Sequence, residues 1–158
     1  MPGSKILAFV QPKDGKFYIT ANGDTKEYQA IEGNLEMVRI EFDPGNPANK
    51  IQAYDAFIMH ISDEETVYRI KMNVARNFTY SVARALGDIE KGQKIIAKAV
   101  IGSDPTITFC NMLKQQEDGS WVRPEIAELS GSTEDKVAFV KNVVESHPAY
   151  SVKVINVE

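Results

Sequence analysis

Polar and apolar positions alternate with a period of two through much of this chain, and turn formers bound each run. LEMVRIEF (35–42) sets Val38, Ile40 and Phe42 against Arg39 and Glu41, the pattern of a half-buried strand. AYDAFIMHI (53–61) and VYRIKMNV (67–74) read as two more strands, joined by the acidic turn SDEET. In the third strand Tyr68, Ile70 and Met72 share one face, and Val67, Arg69, Lys71 and Asn73 the other. The period then lengthens. Val82, Leu86 and Ile89 recur at helical spacing, with Phe78 and Ala85 beside that stripe and Asn77 or Thr79 able to cap the start. Gly92 turns the chain into a strand at 94–101. TITFCNML (106–113) is the next, continued as a hairpin through Asp118-Gly119 to Trp121.

The flanks have a different character. KILAFV and KFYIT surround PKDG, a hairpin signal, and ANGDTKEY is rich in turn formers. Residues 1–28 thus read as an N-terminal hairpin or arm ahead of a main unit at 29–128. DPGNPANK is a loop by every local rule. After Pro124, Ser132 and Asp135 stand at capping-box spacing before TEDKVAFVKNVVES, a helix that Pro148 ends. Its apolar surface is broad, which suits packing on the main unit or on a partner. YSVKVINV is β-rich: a sixth strand, an edge strand or a docked tail. Helix and tail make up a third segment, 129–158.

Three strands, a helix and two strands are the order of an OB-type (oligonucleotide- or oligosaccharide-binding) barrel. The expected fold is therefore mostly β: an OB-like five-stranded barrel with a helix between strands three and four, plus the N-terminal hairpin and the C-terminal helix and strand. The helix would plug one end of the barrel. The loop at Pro44–Lys50 and the SDEET turn would take the places that fold gives them. An open antiparallel sheet is the competitor; too few helices alternate with strands for a doubly wound sheet.

Charge sharpens the picture. The whole chain carries a net charge of -4, which excludes a globally basic protein. Yet between Val67 and Val100 seven cations (Arg69, Lys71, Arg76, Arg84, Lys91, Lys94, Lys98) face two acids (Asp88, Glu90). Residues 101–158 reverse the balance, with five cations and nine acids. A nucleic-acid site would have to be a local patch. The single cysteine, Cys110, allows no intrachain disulfide, and with no leader-like or membrane-length apolar run a cytoplasmic home is expected.

The strings QAIEGNLEMVRIEF and AYDAFIMHISDEETVYRIKMNVARNFTYSVARALGDIEKGQKIIAKAV resemble divergent OB-fold single-stranded DNA-binding proteins of tailed bacteriophages and Bacteroidetes-like bacterial elements. The shared arrangement is a glycine before a strand, a loop, two strands joined by a charged turn, a helix whose Leu precedes I-x-x-G, and a further strand. It spans roughly residues 28–123. The resemblance implies single-stranded DNA binding, a role in DNA replication, and a bacterial or phage-infected cytoplasm. The Gly/Pro-rich linker and acidic Phe-terminated tip of the familiar bacterial family are absent from the sequence, so tail-mediated partner recruitment does not carry over.

The residues fit such a role without turnover. Arg69 and Lys71, with Arg39, Arg76 and Lys98, would line a phosphate track, and Tyr54, Phe78, Tyr80 and Trp121 would offer rings to bases, Trp121 flanked by Lys114 and Arg123. Each cation could equally be a solvated surface residue and each aromatic a core residue. Enzymatic chemistry finds no foothold. There is no phosphate-binding loop, dinucleotide fingerprint, nucleophile elbow or HExxH, and no nucleophile is marked near His60. His60, His147 and Cys110 show no zinc spacing, and Asp63, Glu64 and Glu65 match no calcium loop, so neither cofactor nor metal is expected. The expected partners are single-stranded DNA, with RNA as the other single-stranded option, and a second copy through the C-terminal helix; no membrane is expected. The other reading is a structural or protein-interaction module that touches no nucleic acid.

Overall fold

The computed structural model describes residues 5–127 and 131–151. The protein is mostly β. Nine strands form one mixed sheet: β1 (Ile6–Lys13), β2 (Lys16–Ala21), β3 (Asp24–Tyr28), β4 (Ala30–Asp43), β5 (Tyr54–Ser62), β6 (Thr66–Asn73), β7 (Lys94–Ile101), β8 (Thr108–Gln115) and β9 (Trp121–Val122). Helix α1 (Asn77–Leu86) lies between β6 and β7, α2 (Thr133–Ser146) follows β9, and a 3-10 turn occupies Pro47–Asn49. The strand order is β3-β2-β1-β6-β5-β4-β7-β8-β9.

Four pairings, β4–β5, β5–β6, β4–β7 and β7–β8, are antiparallel. The sheet is open, and β6 and β8 are not neighbours in it. The edge of β6 is taken by β1, which runs parallel to it from Ile6↔Thr66 to Val10↔Ile70. The gap on the far side is bridged by single contacts. Gly15 N–H, in the β1–β2 turn, donates to Thr108 Oγ1 at 2.9 Å, and the Gln29 amide donates to the carbonyls of Gly15 and Ala99. The segment DTKEY, read above among turn formers, is strand β3. Asn22-Gly23, both at positive φ, supplies the tight turn that pairs it with β2.

β4 is long because it serves two neighbours. Residues Ala30–Asn34 pair with β7 and Asn34–Asp43 with β5, with a bulge between Leu35 and Met37. Gly33 sits at this crossover, where a Cβ would come within 2.6 Å of the Ser62 carbonyl oxygen, so the strands approach this closely only around a residue without a side chain.

One core serves the whole described structure. Ala8, Val10, Phe17 and Ile19 of the N-terminal hairpin share it with Leu35, Val38, Phe57, Met59, Ile61 and Ile70 of the central strands and with Val140 and Val144 of α2. The stripe Val82, Leu86 and Ile89 is buried, as its spacing predicts. α2 begins with the expected capping box, in which Ser132 Oγ accepts from Asp135 N–H and the Asp135 carboxylate accepts from Ser132 N–H. Val140 and Val144 turn inward, and Phe139 meets Tyr80 edge to face at 6.0 Å. Of the apolar surface that suggested an oligomer seam, Val140 and Val144 are buried against their own chain, and Val137, Phe139 and Val143 are partly buried. His147 fastens the end of α2 to α1. Its Nδ1 accepts from Ala149 N–H at 3.0 Å, leaving Nε2–H to donate to the carbonyls of Ile89 and Leu86. Of the expected C-terminal strand, Tyr150 makes a parallel bridge with Val38 and Ser151 N–H donates to the Val38 carbonyl, and the rest lies outside the described residues.

Candidate nucleic-acid interface

The sheet presents an outer face whose rows follow from the register. Arg69 lies beside His60, and Lys71 beside Ile58, which lies in turn beside Arg39. Ile58 and Ala56 are fully buried on this face, yet stand apart from the main core. Ile58 has a long basic side chain on either side, and the aliphatic stems of such residues shield an apolar neighbour.

The cations of this face are matched by acids from β4. Glu41 Oε2 receives the Arg39 guanidinium at 3.2 Å and lies 3.9 Å from that of Arg69, which also donates to His60 Nε2 at 3.2 Å. Asp43 accepts from Lys71 Nζ at 2.6 Å, an interaction that is the main cause of its lowered pKa, and it also receives the Gly45 N–H and the Tyr54 hydroxyl. Burial raises the pKa of Tyr54, the largest effect on that group, so the phenol stays neutral and able to donate. His60 is lowered to about 4, first by burial, then by Arg69 and Arg39, so its ring is a neutral acceptor at pH 7. Arg39 Nε is buried and has no hydrogen-bond partner among the described residues. The SDEET turn takes no part in this pairing; Asp63 caps its own turn by accepting from the N–H groups of Glu65 and Thr66.

Beside this face lies an open cleft of about 890 Å³. Four loops build it: the β1–β2 turn, the end of the β4–β5 loop at Ile51–Ala53, the β6–α1 link at Arg76, and the β7–β8 loop at Pro105–Ile107. Lys13, Lys71 and Arg76 line it, with Asp14 the one acid in its wall and Tyr54 at its side. Lys13 and Arg76 are exposed. Arg76 stands where α1 begins, at the N-cap position, with an extended backbone and no side-chain cap bond, so its guanidinium is not engaged in capping.

The residues singled out from the sequence therefore fall into three sets. Tyr54, Lys71 and Arg76 meet at the cleft, with Arg39 and Arg69 on the adjoining face. Lys98, Lys114, Trp121 and Arg123 lie across β4 on β7, β8, β9 and the segment after it. Within that set Lys114 is tied to Asp88 at 2.9 Å and Trp121 is half-buried opposite Gln115. Phe78 and Tyr80 form the third set, and their stacking role is corrected. Phe78 is 1% exposed and packs edge to face on Phe17 at 5.9 Å. Tyr80 is 9% exposed under α2, with Lys136 and Arg84 against its ring. Both sit on a helix covered from two sides, by sheet and by α2, so neither ring is open to a base. Lys13 was missed, because only the parallel β1–β6 pairing, invisible to local patterns, brings it to the cleft. Among the described residues no cluster of His, Cys, Asp or Glu could hold a metal, and no helix is long and apolar enough to cross a membrane.

Comparison with known proteins finds no match for this chain among protein-family models, curated proteins or solved structures.

Proposed function

We propose that this protein binds single-stranded nucleic acid, in the first instance DNA, without turnover, and that the strand lies in the cleft between the β4–β5 and β7–β8 loops. Backbone phosphates would sit on Lys13, Lys71 and Arg76, and a base would stack on Tyr54. The observation that carries this reading is the charge of the cleft wall: three cations to one acid in a chain of net charge -4. Its position supports the same reading. With β4 to β8 taken as an OB-like barrel, these are the two loops beside which that fold places oligonucleotides. The resemblance to phage single-stranded DNA-binding proteins fits here too.

Binding of labelled oligo-dT, with duplex DNA and oligo-U alongside, tests the proposal. Micromolar or tighter affinity for oligo-dT at low salt, with weaker duplex binding, is expected. No oligo-dT binding at micromolar protein and low salt would overturn it.

The second reading, a protein-interaction module, has its own observation. Glu41 and Asp43 answer the cations of the open sheet face, as a face not meant for phosphates requires. The two readings part at Lys13 and Arg76. Their joint replacement by alanine abolishes oligo-dT binding under the first reading; under the second the parent protein does not bind at all.

A further inference from the structure

We infer that the N-terminal hairpin carries a second nucleotide subsite, contiguous with the cleft, in which Phe9 and Tyr18 stack bases and Lys13 holds the phosphate between the two sites. The inference rests on the single-strand-binding reading above and extends it to residues outside the barrel-like strands.

Phe9 is 55% exposed in the middle of a hydrogen-bonded strand, with neighbours on both sides. Its bareness has a structural cause. On one side Arg69, its register partner on β6, is the residue whose side chain would normally fold over the ring. His60 and Glu41 draw that guanidinium the other way, toward β5 and β4. On the other side its partner is Thr20, a short side chain held by Thr25 at 2.7 Å. Tyr18 stands opposite Gln11, one diagonal step from Phe9, a spacing that aromatic side chains can bridge.

A groove of about 440 Å³ runs over these residues, lined by Phe9, Gln11, Lys13, Tyr18, Thr20 and Thr25 with Val10 at its floor, and no acid is in its wall. Gln11 and Lys13 also line the cleft. The two depressions therefore share a wall, and a chain leaving one enters the other past a lysine. Two rings, an amide, two hydroxyls and one cation suit a base and its phosphate. The hydroxyls and amide can meet base edges, and the rings accept any base through its face.

The test is an oligo-dT length series on the parent and on Phe9→Ala. The parent is expected to bind a strand of about 12 nucleotides more tightly than one of about 4, within the span one such site covers. Phe9→Ala should weaken the long strand by about tenfold, the usual loss of one stacked base, and leave the short strand unchanged. Because Phe9 is largely exposed, the variant should stay folded, with a thermal midpoint only a few degrees below the parent's. Phe9→Trp gives a readout independent of affinity: its emission should be quenched by the long strand beyond any change in the parent's Trp121. A parent that binds the long strand, with Phe9→Ala within twofold of it or Phe9→Trp unquenched, overturns the subsite and leaves the cleft standing. A parent that binds neither length overturns both.

Discussion

Lys71 is held by Asp43 at 2.6 Å, so an incoming phosphate must displace a carboxylate before it gains this cation. The acid is therefore a brake on binding. Asp43→Asn keeps an oxygen for Gly45 N–H but removes the charge, and oligo-dT affinity should rise about three- to fivefold, the scale of an exposed ion pair. A titration by fluorescence anisotropy reads this directly; unchanged or weaker binding would take Lys71 out of the site. His60 makes a second prediction at this scale. Its folded pKa, about 4, lies below the ordinary 6.5, so the unfolded chain takes up the proton first as pH falls. The stability that neutral His60 confers is complete above pH 6.5 and is lost progressively between 6.5 and 4. With the ring partly in solvent, screening leaves about 1 kcal/mol of loss between pH 7 and pH 5. Urea unfolding at those two values should show it in the parent and not in His60→Gln. The carboxylates with lowered pKa, Asp43, Asp88, Asp104 and Asp118, start from an ordinary value of 3.8 and so contribute little to this window.

β4 is the element on which the arrangement turns, because one strand pairs with β7 over its first third and with β5 over the rest. Gly33→Ala puts a methyl 2.6 Å from a backbone carbonyl that cannot swing aside as a flexible side chain would. It should cost about 1–3 kcal/mol, seen as a lower denaturant midpoint with an unchanged slope. Elements set by local pattern were legible in the sequence. The α1 stripe, the α2 capping box and the bounds of β7 all follow from spacing within a few residues of chain. What depends on pairing was not. Glu41 and Asp43 meet Arg69 and Lys71 only through registers that join residues far apart in sequence. Phe78 and Tyr80 looked available because a helix stripe does not show that Phe17 of the hairpin packs on the first or that a second helix covers the other. Asn22-Gly23 was a readable hairpin signal, outweighed by the polar residues around it.

At the scale of the whole molecule, salt separates the cations of the cleft from those that lie beyond β4. Three phosphate contacts imply a log–log slope of about -2 for oligo-dT affinity against salt, on the single-strand scale of about 0.7 per contact. Alanine at Lys13 or Arg76 should lower the magnitude of that slope by about 0.7, whereas Lys98→Ala and Arg123→Ala should leave it unchanged. Equal effects from both groups would place the strand elsewhere. The parallel ladder between β1 and β6 has a consequence for how the molecule comes to be. β1 is made before its parallel partner β6, with β2, β3, β4 and β5 between them in the chain. Until then the emerging hairpin has no strand on which to dock, and Ala8, Val10, Phe17 and Ile19 have no core to enter. Long-range pairing of this kind is slow to form and leaves apolar surface open meanwhile. The hairpin is thus made well before the strand on which it docks, and a chain cut before Asn73 lacks the complete strand that receives it.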